Sequence, residues 1–323
     1  MDEGKLSVKT RRFVSQSVRP MRVLLIVNPV ASRVNAAVER TARRELEESA
    51  SVEVVHTTRP LEAGEFARQA VAAALDAVIV LGGDGTANEV LNGIGAEIPL
   101  GLLPGGGTSV MARNLGLPPS IPAAARRLAI ALQEGTQRHL RVGRINGHRF
   151  AFNAGVGLDA EVVRRVDGRA RTEKHRRSPD AVFARELFKL VARGTFSHPH
   201  ITLQIGTTSD RVAFVIAVNL APWSYIGALP LDLAPTATAD SGLDIVAPRR
   251  LYRRDVAGFA QRLFVDHRHA RGSGDPRVAY WHDISTLRLR CDFPFPAQAD
   301  GEDLGDVTDV LIDVDRAGAR YLI

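Results

Sequence analysis

The first third of the chain alternates short apolar runs with longer stretches of helical spacing. Residues 22–28, 52–57, 77–81 and 100–103 are apolar runs too short for helices and suited to buried strands. Between them, residues 35–49 and 61–75 show the helical period, with Asn35 as N-cap of the first. Val90, Leu91 and Ile94 share a helical face after Gly85, and another helix is predicted from about 122 to 134. Strands alternating with helices of this length predict βαβ units around a parallel sheet.

After Gly135 the texture changes. Residues 138–145, 148–153, 201–206, 211–219, 243–246 and 286–291 are short alternating segments, an antiparallel β pattern. Helices are expected at about 158–166, 180–193 and 254–265, and closing strands at 307–314 and 320–323. A domain boundary near residue 138 follows, with residues 1–20 as a flexible tail ahead of the first domain.

Two strand ends carry chemistry. Gly82-Gly83-Asp84-Gly85-Thr86 follows the third strand and runs into a helix, and Gly105-Gly106-Gly107-Thr108 follows the fourth. Backbone N–H groups at such helix starts suit phosphate, and glycines let the ligand approach closely. The Lys-Ser/Thr pair of a P-loop is absent. Ligands of parallel sheets bind beyond the carboxyl ends of the strands, so Asn28, Thr57 and Gly82 are expected around one crevice. Asp84 beside phosphates points to a metal ion or an ordered amide; a turn cap is the alternative. Farther along, Asp300-Gly301-Glu302 supplies two carboxylates two residues apart, on one face if extended, or a hairpin turn. Residues 153–157 suit a close backbone approach to the cleft, or a tight turn capped by Asn153.

Composition narrows the choice. The 323 residues are enough for two domains, and 45% apolar content supports a large core. No apolar run is long enough for a membrane span, and residues 1–20 lack the apolar segment of a secretory signal. A single cysteine, Cys291, excludes an internal disulfide and cysteine-ligated zinc, and fits a cytoplasmic protein. The net charge of +6 suits nucleic acid, an anionic membrane or a phosphate-rich substrate, but no nucleic-acid module or basic-aromatic interleaving supports the first. Arg164, Arg165, Arg169, Arg171, Lys174, Arg176 and Arg177 form a basic stretch, read as a solvated loop or as a reversible, peripheral contact with an anionic membrane surface. Trp223, Tyr225, Ile226 and Leu229 suit core packing or a lipid pocket, and His267, His269 and His282 lack the spacing of a metal site. An edge strand in the β-rich half would allow a homodimer.

Taken in order and spacing, Asn28-Pro29, Thr57, residues 82–86, residues 104–113, residues 152–160 and Asp300-Gly301-Glu302 resemble the bacterial diacylglycerol kinase and sphingosine kinase catalytic family, over about residues 22–323. The resemblance implies an α/β protein of NAD kinase-like fold. A doubly wound N-terminal nucleotide-binding domain (21–138, with a C-terminal return at about 309–323) would meet an antiparallel β-sandwich lipid domain (139–308) at a cleft. It implies an ATP-dependent lipid kinase that uses Mg²⁺, with a lipid such as diacylglycerol or a sphingoid-type alcohol as acceptor. Asn28, Thr57, Gly82, Gly83, Asp84, Gly85, Thr86, Asn88, Gly106, Gly107 and Thr108 would hold ATP, with Asp84 on its metal. Glu302 would be the base, with Asp300 as orienting partner or alternative base. A small-molecule kinase of the NAD kinase type and a non-catalytic ATP-binding regulator are the rival readings. Two positions depart from the family: Ser109 stands where Asn is usual, and Asp240-Ser241-Gly242-Leu243-Asp244 lacks the second acid of a structural magnesium site, leaving Asp240 or Asp244 to hold that ion.

Overall fold

The computed structural model describes residues 20–173, 186, 189–190, 198–222, 224–226, 229–231, 233–252, 261 and 276–323. The expected tail, most of the helices expected at 180–193 and 254–265, and Trp223, Lys174, Arg176, Arg177, His267 and His269 lie outside the described residues, as do the side chains of Arg169, Arg171, Tyr225, Ile226 and Leu229.

The first half folds as β1 (Met21–Val27), α1 (Ala36–Glu47), β2 (Ala50–His56), α2 (Glu62–Ala72), β3 (Ala77–Gly82), α3 (Asp84–Ile94), β4 (Leu100–Pro104), α4 (Val110–Asn114) and α5 (Ile121–Glu134). The continuous apolar runs become parallel strands in the order β2-β1-β3-β4. β3 is buried at all six residues, as a strand covered on both faces must be. The chain steps one way from β1 to β2 and the other way from β2 to β3. Right-handed crossovers therefore place α1 and α2 on opposite faces. Accordingly α1 packs with α5, and α2 with α3. Asn35 caps α1 as expected, its side chain accepting from the N–H groups of Ala37 and Val38. This is a doubly wound sheet whose order reverses between β1 and β3, where a ligand crevice opens.

The second half contains β5 (Gln137–Ile145), β6 (His148–Phe150), β7 (Asn153–Val156), α6 (Leu158–Glu173), β8 (Ile201–Ile205), β9 (Thr208–Val212), β10 (Val215–Val218), β11 (Ser224–Ile226), β12 (Leu229–Leu231), β13 (Leu243–Pro248), β14 (Val278–Ile284), β15 (Thr286–Ala299) and β16 (Glu302–Leu322). Its strand pairs are antiparallel, as the alternating pattern requires. β15 pairs with β8 through residues 288–291 and with β7 through residues 297–299, with register shifts between. Across that irregular segment β15 changes partner from β8 to β7. The fold is thus the expected α/β domain followed by a β-rich domain, each around its own apolar cluster.

Two closing strands were expected; instead β16 is one 21-residue strand. It pairs with β15, then with β5, and at Tyr321 lies parallel to Leu100 of β4. Both halves therefore share one hydrogen-bonded sheet path. The segment expected as one strand at 148–153 bends at Ala151-Phe152, where the backbone N–H groups turn to the Asp300 carboxylate instead of a neighbouring strand.

Candidate active site

The site forms at the reversal point. The Asn28 N–H donates to Leu81 O (3.0 Å), and Asn28 Nδ2 donates to Thr86 Oγ1 (2.9 Å), tying the end of β1 to the start of α3. The Thr57 N–H donates to Val27 O (2.9 Å), which places the end of β2 beside them. The two glycine turns are in backbone contact, with the Gly105 N–H donating to Gly82 O (2.9 Å). A Cβ on Gly105 would lie 3.0 Å from Gly82 N and 2.8 Å from Val34 Cγ2, so this glycine is required by packing. A Cβ on Gly85 would meet nothing within 4 Å, because that position faces open space.

An open cleft of 1010 Å³ lies over these turns. Of the expected residues, Asn28, Thr57, Gly83, Gly85, Thr86, Gly106, Asp300 and Glu302 line it. Gly82, Asp84, Asn88, Gly107 and Thr108 are not on its wall; Gly82 packs beneath Thr86, and Asp84 and Asn88 are buried behind it. Ser32, Arg59, Glu89 and Asp303 also line the cleft, and sequence reasoning missed them. For Ser32 and Arg59 the signal was positional, since loops that follow β1 and β2 must border the crevice at a reversal point; Glu89 on α3 and Asp303 on β16 carried no such signal. Ser32 Oγ is buried without a hydrogen-bond partner, an unfilled donor at the cleft wall. Burial raises the Glu89 carboxyl above its usual range, while the N–H groups of Leu61 and Ala63 pull the other way.

Asp84 corrects an expectation. Its two carboxylate oxygens accept from the N–H groups of Val110 (3.1 Å) and Met111 (3.2 Å), so it caps α4 and locks one glycine turn to the other. The geometry is the ordered-amide alternative, not a carboxylate aimed into the cleft at a metal. Ser109, just before α4, sits in the left-handed region at φ 48°, a conformation that Asn or Gly adopts more readily.

Asp300 and Gly301 form a two-residue hairpin turn between β15 and β16, with Ala299 opposite Glu302 and positive φ at both turn residues. The pair is therefore not extended, and the two carboxylates have different tasks. Asp300 is buried and accepts from the N–H groups of Ala151 (2.6 Å), Phe152 (3.0 Å) and Asn153 (3.0 Å) and from Asn88 Nδ2 (2.8 Å). Burial pushes its carboxyl up to about 6, against the pull of those donors. Glu302 stays at the cleft with its side chain 28% exposed, 3.9 Å from His148 Nε2. Gln298 braces the turn, accepting from the Gly301 N–H (2.9 Å) and donating to Asn153 Oδ1 (2.7 Å) and Asp159 Oδ2 (2.5 Å).

The residues expected to hold a structural magnesium do not converge. Asp244 is fully buried and accepts from Thr236 Oγ1 (2.6 Å), His282 Nδ1 (2.7 Å) and the Tyr280 hydroxyl. Asp240 is 74% exposed, 3.9 Å from Arg138. Among the described residues no three His, Cys, Asp or Glu groups are placed to hold a metal. Hydroxyl and imidazole donors occupy the acceptor sites of Asp244 where a cation was expected. His282 thus has an acidic partner that its sequence context did not reveal.

The chain is similar over residues 22–145 to the diacylglycerol kinase catalytic domain, whose family model matches there. It is 34% identical to a diacylglycerol kinase of Bacillus subtilis over 119 residues, covering 36% of this chain and 38% of the relative. It is 27% identical to a sphingosine kinase of Arabidopsis thaliana over 160 residues, covering 46% and 33%. The chain spans about half or less of the curated relatives it matches. A solved diacylglycerol kinase structure from Bacillus anthracis shares the fold across 94% of this chain and 97% of its own, with a TM-score of 0.67 at 19% identity.

Proposed function

We propose that this protein transfers the terminal phosphate of ATP to a hydroxyl group of a lipid at a membrane surface. The observation that carries the reading is that one cleft brings together both glycine turns and the Asp300–Glu302 turn. Phosphoryl transfer asks the protein mainly for positioning and charge stabilisation. The backbone around Gly83, Gly85 and Gly106, the Thr86 hydroxyl and the unpartnered Ser32 Oγ fit a polyphosphate. Mg²⁺ bound with ATP would neutralise its phosphate charge; Asp84 is engaged by Val110 and Met111, and the wall carboxylates Glu89 and Asp303 are held by the Ala63 N–H and by Arg164. Glu302 accepts the proton of the acceptor hydroxyl, and Asp300 fixes the turn that presents it.

Access to the lipid is proposed to be peripheral. No helix among the described residues is long and apolar enough to cross a membrane. Of the basic stretch, Arg164 is paired with Asp303 and Asp306, and Arg165 with Glu161, so attraction to an anionic surface falls to the residues beyond them.

Incubation with γ-labelled ATP and either a total lipid extract or NAD, with mass-spectrometric identification of the product, tests the reading. Label in a lipid phosphate ester is expected. Label only in a NAD-derived product supports the small-molecule kinase, and nucleotide binding without turnover supports the regulator; either result overturns the proposal.

A further inference from the structure

The two carboxylates of the turn are connected through side chains. Asn88 Nδ2 donates to Asp300 Oδ2, which leaves Asn88 Oδ1 as the acceptor on its other side. His148 Nε2 lies 3.1 Å from that oxygen and 3.9 Å from Glu302 Oε2. Asn92 is fixed in the same way: its Oδ1 accepts from the Arg149 N–H (2.8 Å). Its Nδ2 has three oxygens at 3.0 Å, nearer than His148 Nε2 at 3.3 Å. A ring nitrogen between an amide oxygen and a carboxylate carries the proton, so the contacts select the Nε2–H tautomer.

Resting on the reading of Glu302 as the base, we propose that His148 is a positioning residue, which with Asn88 holds the Glu302 carboxylate in register with the Asp300 turn. Burial lowers the His148 ring below the usual histidine range and favours its uncharged form, whose Nε2–H has Asn88 Oδ1 as its near acceptor (3.1 Å) and Glu302 Oε2 beyond it at 3.9 Å. Other ionisable groups on the surrounding elements are engaged elsewhere. Asp300 accepts the donors described above, Arg149 pairs with Asp315 (3.0 Å), Arg144 pairs with Asp313 (2.6 Å), and Glu89 on α3 accepts from the Ala63 N–H. Glu302 Oε2 lies 3.9 Å from His148 Nε2.

Two measurements on the full chain test this. In the first, histidine-labelled protein is titrated by NMR, with the His148 signal assigned by its loss in His148→Gln. Glu302→Gln removes an opposite charge about 4 Å away and should lower the His148 midpoint by roughly half a pH unit or more. An unmoved midpoint overturns the proposal, and this readout does not depend on turnover. In the second, His148→Ala should lower kcat for the lipid about tenfold with the KM for ATP little changed, and should move the acid limb of the pH profile upward. His148→Gln, which restores an N–H donor, should recover most of the rate. Equal losses in both variants with an unshifted acid limb would also overturn it. A wild-type protein that phosphorylates no lipid while the NMR coupling is present would sink the function reading alone.

Discussion

Asp300 Oδ2 accepts a 2.8 Å hydrogen bond from Asn88 Nδ2, joining two side chains 212 residues apart in the chain. Asn88 belongs to the helix that starts in the first glycine turn; Asp300 belongs to the hairpin of the β-rich domain. The remaining acceptor capacity of Asp300 holds the bend at residues 151–153. One buried carboxylate thus fixes the glycine-turn side and the hairpin side of the cleft relative to each other.

Asp300→Ala should therefore act on stability before it acts on chemistry. It leaves three backbone N–H groups and the Asn88 amide without their acceptor in a buried place, a loss on the order of 3 kcal/mol or more. Glu302→Gln keeps its shape at a partly open position, so it should leave stability within about 0.5 kcal/mol. Urea unfolding of both variants decides the matter, and an Asp300→Ala change under about 1 kcal/mol would remove the clamp from the account.

The glycines of the two turns should separate in a similar way. Gly105→Ala forces a methyl against the Gly82 backbone and Val34, and should destabilise the fold by roughly 1–3 kcal/mol. Gly85→Ala meets only open space on a helix, where alanine is the better helix former, so folding should be unchanged or slightly stronger. The added methyl stands in the cleft, and ATP affinity should fall. Calorimetric titration of ATP alongside thermal unfolding checks both; normal ATP binding by Gly85→Ala would move the phosphates away from the first turn.

The limits of the sequence follow from the same contacts. The parallel strands were legible because a strand covered on both faces is a continuous apolar run, as 77–81 is. The glycine turns were legible because close backbone approach admits few other residues. Asp84 was read as metal-bound, amide-ordering or a turn cap, and the choice was not legible, since its partners Val110 and Met111 donate from their backbone, which leaves no mark on residue type. His148 and Asn92 were missed for a related reason: His148 meets Asn88, and Asn92 meets the Arg149 backbone, across distant segments, and neither belongs to a motif. The Asp-Gly pair was read both as a hairpin turn and as a functional pair, and the turn geometry is what lets Asp300 reach four donors.

The Asp244 network predicts how the β-rich domain responds to chelation. Its acceptors are already engaged by Thr236, Tyr280 and His282, so removing divalent metal from the nucleotide-free protein should leave Tm unchanged. Asp244→Ala should lower stability by roughly 1–3 kcal/mol, because Thr236, Tyr280 and His282 lose the buried acceptor they share. A fall in Tm on adding a chelator would show that a metal does stabilise this domain.

Asp159 gives the fold a pH dependence whose sign can be worked out. It lies at the start of α6, is buried, and has Gln298 Nε2 as its donor at 2.5 Å. Burial pushes its carboxyl up to about 6, well above the roughly 3.9 of an exposed aspartate. Between those values the folded state binds the proton more tightly than the unfolded chain does. The stability from this group is therefore complete at about pH 4 and is lost as pH rises through about 6, a change on the order of 1–3 kcal/mol. Asp300 shifts in the same direction, so Asp159→Asn should flatten the pH dependence without abolishing it. Urea unfolding at intervals from pH 4.5 to 7.5, wild type against Asp159→Asn, measures the difference. If the two curves ran parallel, Asp159 would titrate alike in both states; if the variant fell more steeply, the Gln298 hydrogen bond would outweigh burial and the sign would be reversed.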